Sequence, residues 1–399
     1  MRPAFCDREI HPAGGPGVFI LGQVQEQMEN FVAEFAGKVQ LIYLDPPFGT
    51  GEVFQMQLGA SKRNSLRLLA YEDNLCQEDY LAMMRNVLCG CYKLLTPTGS
   101  LYLHVDYRMS AYLKLMLDDI FGQQNFVNEI IWMYRSGGRS KKHYSRKHDT
   151  ILFYRKGKDH YFNIEAIGMP RGPERRNHMK RHIDEQGRVC FTIRSGGKTY
   201  TYYEDTPIYP SDVWTDIEHL HQRDPERIGY ATQKPEALLK RIILASSQPG
   251  DLVADFFSGS GTTAAVASKN KRRFLAGDCS AISMYLLRQR LLQQGNAISL
   301  LDKPHPLEIR YKGIQNQSIA PCVSVSRQGT KFCCQINASG QHEAVPVAYC
   351  ALGKREGTAF HPQDHLFYPS YPFHLSIEAC DTPLMQLVFA NGEQAFWEL

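Results

Sequence analysis

Residues 252–269 read LVADFFSGSGTTAAVASK. Leu252–Phe256 is a short apolar run that predicts a buried strand, and Thr262–Lys269 predicts a helix. Between them Ser258-Gly259-Ser260-Gly261 forms a tight glycine turn. Gly259, Gly261 and Ala264 fit the spacing G-x-G-x-x-A, whose glycines let the backbone approach a bound nucleoside. The next strand is predicted over Arg273–Ala276, and Asp278 stands at its end, where an acid holds ribose hydroxyls. A turn whose glycines serve packing alone would not bring the strand, the helix and the acid with it. The motif points to a nucleoside cofactor and does not by itself separate NAD from S-adenosylmethionine.

The same alternation extends outward in both directions. Val18–Gly22 and Val39–Leu44 read as buried strands flanking a helix over Gln23–Phe35. Apolar residues at Leu81, Met84, Leu88, Tyr92 and Leu95 recur at helical spacing and predict a helix over Gln77–Leu95. A strand over Ser100–Asp106, a helix over Tyr107–Phe121 and strands over Phe126–Tyr134 and Asp149–Arg155 follow. A helix over Pro235–Ser247, with proline in its first turn, leads to the glycine-loop strand, and a last helix covers Ala281–Gln293. The pattern predicts an α/β fold with a doubly wound, mostly parallel, Rossmann-like sheet. Residues 156–229 are basic and aperiodic, and no regular element is predicted there. After Pro304 short alternating runs (CVSVS, KFCCQI, HLSIEA, MQLVFA) predict a small antiparallel β domain.

Composition narrows the class. The 399 residues are 43% hydrophobic and 22% charged, as in an ordinary globular protein, which excludes disorder or coiled coil as the dominant state. No window approaches a membrane span, and the N-terminal stretch lacks the apolar core of a secretory signal, so a cytoplasmic location is expected. The 11 cysteines include no C-x-x-C pair and read as reduced thiols. A net charge of +4 conceals a strong asymmetry: Ile131 to Tyr200 carries 17 Lys and Arg against six Asp and Glu, which leaves the remainder at −7. So uneven a distribution points to a polyanionic partner.

Asp45-Pro46-Pro47-Phe48-Gly49-Thr50-Gly51 directly follows the Val39–Leu44 strand, and its prolines and glycines make it a loop at a strand's carboxyl end. Its residues suit methyl transfer to the exocyclic amine of a nucleobase. That nitrogen is conjugated with the ring and weakly nucleophilic, so a site must accept hydrogen bonds from its two hydrogens and turn its lone pair towards the donor. A carboxylate (Asp45) and an outward-held backbone carbonyl (Pro46, fixed by Pro47) supply the acceptors, and Phe48 supplies a face for stacking. The chain here resembles the β class of amino DNA methyltransferases, in which D-P-P-[YF] precedes F-x-G-x-G, as Phe257-Ser258-Gly259-Ser260-Gly261 does here. YEDNL from Tyr71, LLTPTGSLYLHVD from Leu94, DDIFGQQNFVNEIIW from Asp118, SRKHDTILFYRK from Ser145 and Gln233-Lys234-Pro235 carry the likeness across residues 18–295.

That resemblance implies a sequence-specific DNA methyltransferase acting from S-adenosylmethionine on the N6 amine of adenine, of the kind found as modification subunits in restriction systems. It implies Asp45, Pro46, Pro47 and Phe48 as catalytic residues. It implies Gln23, Lys234, Asp255, Phe257, Ser258, Gly259, Gly261, Thr262 and Asp278 around the cofactor, with Lys234 near the cofactor's carboxylate. Gln23 stands where relatives often carry an acid, and Phe48 where tyrosine is commoner. Double-stranded DNA is the implied partner, with a homodimer and a restriction-system subunit as further candidates. A base inside a duplex must be flipped out to reach such a loop.

Arg135, Arg139, Lys141, Lys142, Arg146 and Lys147 form a glycine-containing basic stretch suited to gripping phosphates. The implied division is 1–155 for the catalytic half, 156–229 for target recognition, 230–300 for the cofactor half and 301–399 for an accessory β domain. Arg171, Arg175, Arg176, Arg181, His182 and Arg194 are candidate base readers within the insert. Residues 300–399 carry seven Lys and Arg against nine Asp and Glu, which argues for a buttress or protein contact there rather than a main DNA face. No metal is expected, and His104 reads as a structural histidine with its hydrogen bonds satisfied. The alternatives are methylation of cytosine at N4, a nucleic-acid-binding protein on a decayed methyltransferase fold, and an NAD dehydrogenase. The intact Asp45 and glycine loop argue against the second, and the lack of a hydride-transfer acid/base set argues against the third.

Overall fold

A computed structural model describes residues 2–4, 8–11, 17–48, 53–58, 66–72, 76–135, 141–170, 179–293, 307–311, 322–328, 330–337, 347–367, 373–378, 380–381, 383–389 and 394–399. The expectations for Gly49 to Gly51, Arg139, Arg171, Arg175 and Arg176 lie outside these residues. In chain order the framework consists of β1 (Arg8–His11), β2 (Gly17–Leu21), α1 (Val24–Phe35), β3 (Val39–Leu44), α2 (Gln77–Leu94), β4 (Leu95–Val105) and α3 (Ser110–Phe121). It continues with β5 (Phe126–Met133), β6 (His148–Arg155), β7 (Val213–Trp214), α4 (Glu236–Ser246), β8 (Leu252–Asp255), α5 (Thr262–Lys269), β9 (Arg273–Asp278) and α6 (Ala281–Gln293). Strands β10 (Leu307–Tyr311), β11 (Val347–Glu356), β12 (Ala359–Phe367), β13 (Pro383–Phe389) and β14 (Gln394–Glu398) complete it.

Strands β10-β2-β9-β8-β3-β4 lie side by side and parallel, and β6 and β5 extend this sheet antiparallel beyond β4. Every residue of β3 and β8 is buried because helices cover both faces. On one face Met28 and Phe31 of α1, Met84 and Leu88 of α2 and Leu113 of α3 pack on Ile42, Leu44 and Leu101. On the other, Leu238 and Ile242 of α4, Ala264 of α5 and Leu287 of α6 pack on Leu41, Tyr43 and Val253. From β3 the chain passes through α2 to β4 on one side, and from β8 through α5 to β9 on the other. The winding therefore reverses between β3 and β8, and loops leaving their carboxyl ends diverge to open a crevice. This is the doubly wound sheet that the alternation predicts.

The structure departs from the expected elements in several places, among them an unforeseen hairpin of Val53–Leu58 with Leu66–Glu72. Strand β4 starts at Leu95, which pairs with Val39, so Thr96 to Gly99 belong to a bulged strand rather than a loop. Within 156–229, Lys180–Ile183, Val189–Ser195 and Lys198–Tyr203 form a three-stranded antiparallel sheet. Its turns place Gly187, Gly196 and Gly197 at φ of 78°, 58° and 77°, a region glycine enters without steric cost. Beyond residue 304, Cys322–Gln328, Lys331–Asn337 and Phe373–Glu378 form a separate antiparallel sheet, but the other strands join the main sheet: β10 runs parallel to β2, β1 lies between β10 and β12, and β11, β13 and β14 follow as antiparallel neighbours. Glu9 of β1 and Arg288 of α6, both fully buried, pair at this junction, and the guanidinium lies 4.4 Å from the Tyr349 ring of β11. No helix among the described residues is long and apolar enough to cross a membrane.

Candidate active site

The crevice between β3 and β8 is a cleft of about 550 Å³, a size typical of small-molecule sites. Asp45, Pro46, Pro47 and Phe48 enter it from β3, and Phe257, Ser258, Gly259 and Thr262 from the loop after β8. Asp255 ends β8, Asp278 ends β9, Gln23 precedes α1 and Lys234 precedes α4, and all four line the same cleft. Of the catalytic and cofactor residues expected from the sequence, only Gly261 stands behind the wall, as the left-handed residue that starts α5.

The glycine loop is built for close approach. Gly259 and Gly261 have φ of 49° and 71°. A Cβ on Gly259 would sit 3.2 Å from the Tyr230 ring, and one on Gly261 would sit 3.2 Å from the Leu287 backbone of α6. The loop's amides are already engaged. Phe257 N–H donates to Asp255 Oδ1 at 3.1 Å, Gly259 N–H to Asp278 Oδ2 at 2.8 Å, and Gly261 N–H to the Ser258 carbonyl at 2.8 Å. A diphosphate would find these donors taken and carboxylates beside them, contrary to the cradle a dinucleotide requires.

Electrostatics favour a cation. Burial pushes Asp255 up to about 7, with Asp45 and Asp278 adding like charge, against hydrogen bonds from Thr263 and Phe257. Burial also raises Asp278, opposed by the amides of Ser280 and Gly259. Four carboxylates, Glu26, Asp45, Asp255 and Asp278, thus line the cleft with the single ammonium of Lys234 among the described residues. A ligand that is itself positively charged would be stabilised there.

At the β3 end, Lys234 Nζ donates to Asp45 Oδ2 at 2.6 Å and lies 5.4 Å from the Phe48 ring centroid. Lys234 therefore touches the acid of the proline loop, a contact that its expected place at the cofactor's carboxylate did not indicate. Asp45 Oδ1 is buried, and no donor among the described residues reaches it. Tyr230, Met83 and Ser280 also line the cleft, and the sequence had singled out none of them. Tyr230 falls just beyond the segment without predicted elements, and Met83 and Ser280 carried no pattern beyond ordinary helix and loop positions.

Behind the proline loop lies a buried polar chain. Tyr43 Oη and His104 Nδ1 are 2.8 Å apart, and His104 Nε2 is 3.2 Å from Asp149 Oδ2. Tyr134 Oη donates to Asp149 Oδ1 at 3.2 Å. His104 is fully buried with both ring nitrogens engaged, as its strand position suggested.

The basic stretch leaves β5 and returns through β6. Arg135 is exposed, 3.7 Å from Glu218; Lys141 and Lys142 are exposed; Arg146 covers the Tyr107 ring at 4.1 Å. The carbonyl of Lys147 accepts from Tyr134 N–H at 2.9 Å, closing the neck of this segment.

Comparison with known proteins gives a consistent result. The N6/N4 family described as DNA methylase matches residues 39–284. The Type II methyltransferase M.EcaI of Enterobacter cloacae is 29% identical over 321 residues, which is 69% of each chain. The DNA adenine methyltransferase YhdJ of Escherichia coli K12 is 30% identical over 258 residues, 64% of this chain and 76% of that one. Among solved structures, the PvuII DNA methyltransferase (cytosine-N4-specific) aligns over 74% of this chain and 93% of its own, with 16% identity and a TM-score of 0.47.

Proposed function

The chain belongs to this DNA methylase family, and we propose that it methylates the N6 amine of an adenine flipped out of double-stranded DNA, using S-adenosylmethionine. The observation that carries the reading is Asp45: one carboxylate oxygen fixed by Lys234, the other buried in the cleft without a donor among the described residues. S-adenosylmethionine supplies an electrophilic methyl group on a sulfonium. Asp45 Oδ1 accepts one amine hydrogen and the Pro46 carbonyl the other, which localises the nitrogen lone pair. Phe48 stacks on the base. Lys234 orients the carboxylate, and its remaining donors suffice for the carboxylate end of the cofactor.

The cofactor's positive charge suits the four carboxylates of the cleft, and the engaged amides disfavour a dinucleotide. Asp278 holds the ribose hydroxyls, Gln23 pairs with the cofactor's adenine, and Phe257, Ser258, Gly259 and Thr262 form the floor, with Gly261 and Asp255 shaping the loop. Adenine rather than cytosine is supported by the name of the Escherichia coli relative and by aspartate at position 45.

Arg135, Arg139, Lys141, Lys142, Arg146 and Lys147 grip phosphates, and the exposed Arg181, His182 and Arg194 of the three-stranded insert read bases. Residues 1–155 form the catalytic half and 230–300 the cofactor-binding half of this proposed enzyme, with 156–229 as the recognition insert. Residues 301–399 support the sheet, with homodimerisation and a restriction-system partner as assembly states that sedimentation of the purified chain can test. Replacing Asp45 by alanine tests the site. Methyl transfer should disappear while calorimetric affinity for S-adenosylmethionine stays within a few-fold. An Asp45→Ala protein as active as the parent overturns the mechanism.

A further inference from the structure

Tyr43 and Asp45 are two residues apart at the end of β3, so their side chains leave the same face of the strand. Fixing the Tyr43 side chain therefore fixes the strand end from which the Asp45 carboxylate is aimed. Tyr43 is buried, and its one hydrogen-bonding group meets His104. His104 in turn meets Asp149, which sits below the usual carboxylate range: burial raises it, but the His104 bond, the Lys234 charge and the Tyr134 bond outweigh that. An ionised Asp149 accepts a hydrogen bond from His104 Nε2–H, which leaves His104 Nδ1 to accept from the Tyr43 hydroxyl. The imidazole is also packed directly on the site, 6.2 Å from the Phe48 ring and edge-on to Trp132 at 5.6 Å.

The far end of this chain is Tyr134, where both DNA-facing segments meet. Its amide closes the neck of the basic stretch through the Lys147 carbonyl. Its ring lies 5.6 Å from both Trp132 and His219, and His219 belongs to the recognition insert. Trp132 Nε1 donates to the Ile217 carbonyl of the same insert at 2.9 Å. One continuous set of hydrogen bonds thus joins the base of the phosphate-gripping segment to the strand that presents the catalytic acid.

We propose that Tyr43, His104, Asp149 and Tyr134 are positioning residues, forming a relay through which DNA seated on the basic segment and the insert sets the place of Asp45. This rests on the methyltransferase reading above. The relay contributes no group to the reacting atoms; it removes slack from the carboxylate, and about 1 Å of misplacement at a reacting centre costs on the order of 100-fold in rate.

The test measures single-turnover methyl transfer at saturating DNA and cofactor for Tyr43→Phe, Tyr134→Phe and the double variant. Affinities for duplex and for S-adenosylmethionine, and thermal midpoints, are measured in parallel. Each single variant should lose about tenfold in rate with both affinities within two- to threefold, because only part of the positional restraint is lost. The double variant should be no slower than the slower single, since both break one chain. Unchanged rates in folded variants, or losses that multiply in the double variant, overturn the relay. Tyr134→Phe removes a hydroxyl from a half-buried side chain and keeps the test open should Tyr43→Phe not fold. A parent protein that transfers no methyl group refutes the enzymatic reading itself, a result distinct from an active parent with unaffected variants.

Discussion

Replacing Glu9 by glutamine probes how the C-terminal strands are tied to the catalytic sheet. Glu9 Oε1 accepts from Arg288 Nε at 2.7 Å, from Arg288 Nη2, and from His11 Nε2 at 3.1 Å, and neither Glu9 nor Arg288 is exposed. Burial raises the Glu9 pKa, but the charges and hydrogen bonds of Arg288 and His11 outweigh it and hold the carboxyl far below the usual range. Glu9→Gln leaves the guanidinium charge buried without its counter-ion, a change that costs about 3–5 kcal/mol. Urea unfolding of the full chain at pH 7 should show that loss. Glu9→Leu combined with Arg288→Met should recover most of it, because removing both charges also removes the desolvation cost. Since the folded-state pKa is depressed, the pair's contribution is present above the unfolded value of about 4.3 and is lost only as pH falls towards the folded value. A Glu9→Gln protein within about 1 kcal/mol of the parent, or a double variant weaker than the single, would refute this account of the junction.

Three further outcomes follow from the site. Gly261→Ala forces a Cβ onto a residue at φ 71° and against the Leu287 backbone; the left-handed cost of about 1–2 kcal/mol should appear in calorimetry as a roughly tenfold weaker affinity for S-adenosylmethionine. Asp255 titrates near 7, neutral below and negative above, so affinity for the cationic cofactor should rise between pH 6 and pH 8, and Asp255→Asn should flatten that rise. Lys141→Ala with Lys142→Ala should reduce the salt slope of DNA binding by about 2 in filter binding. Lys354→Ala with Arg355→Ala, on the acidic C-terminal strands, should leave that slope unchanged.

The sheet was legible because β3 and β8 are buried on both faces and so appear as unbroken apolar runs, VQLIYL and LVAD, each ending in a loop with its own chemistry. The residues that gather in the cleft were legible because glycines at positive φ and a diproline leave marks no packing pattern imitates. The insert sheet was not foreseen, although Val189, Phe191 and Ile193 alternate and Gly196-Gly197 between VCFTIRS and KTYTYY is a two-residue hairpin signal; the two strands that flank VCFTIRS are largely exposed and polar, which masked the pattern. The joining of the C-terminal strands to the main sheet was equally hidden. Strand pairing between residue 309 and residue 19 is a long-range contact, and the Glu9–Arg288 pair behind it joins two residues 279 apart in the chain. The Tyr43–His104–Asp149–Tyr134 chain belongs to the same class, ordinary side chains in sequence made functional candidates only by the fold, while the Lys234–Asp45 contact joins two residues that the sequence marked but could not pair across 189 positions.

Duplex DNA incubated with the purified protein and S-adenosylmethionine, digested to nucleosides and analysed by mass spectrometry, should contain N6-methyladenine, and DNA treated with Asp45→Ala should not. Finding N4-methylcytosine alone, or no methylated nucleoside from the parent protein, would contradict the account.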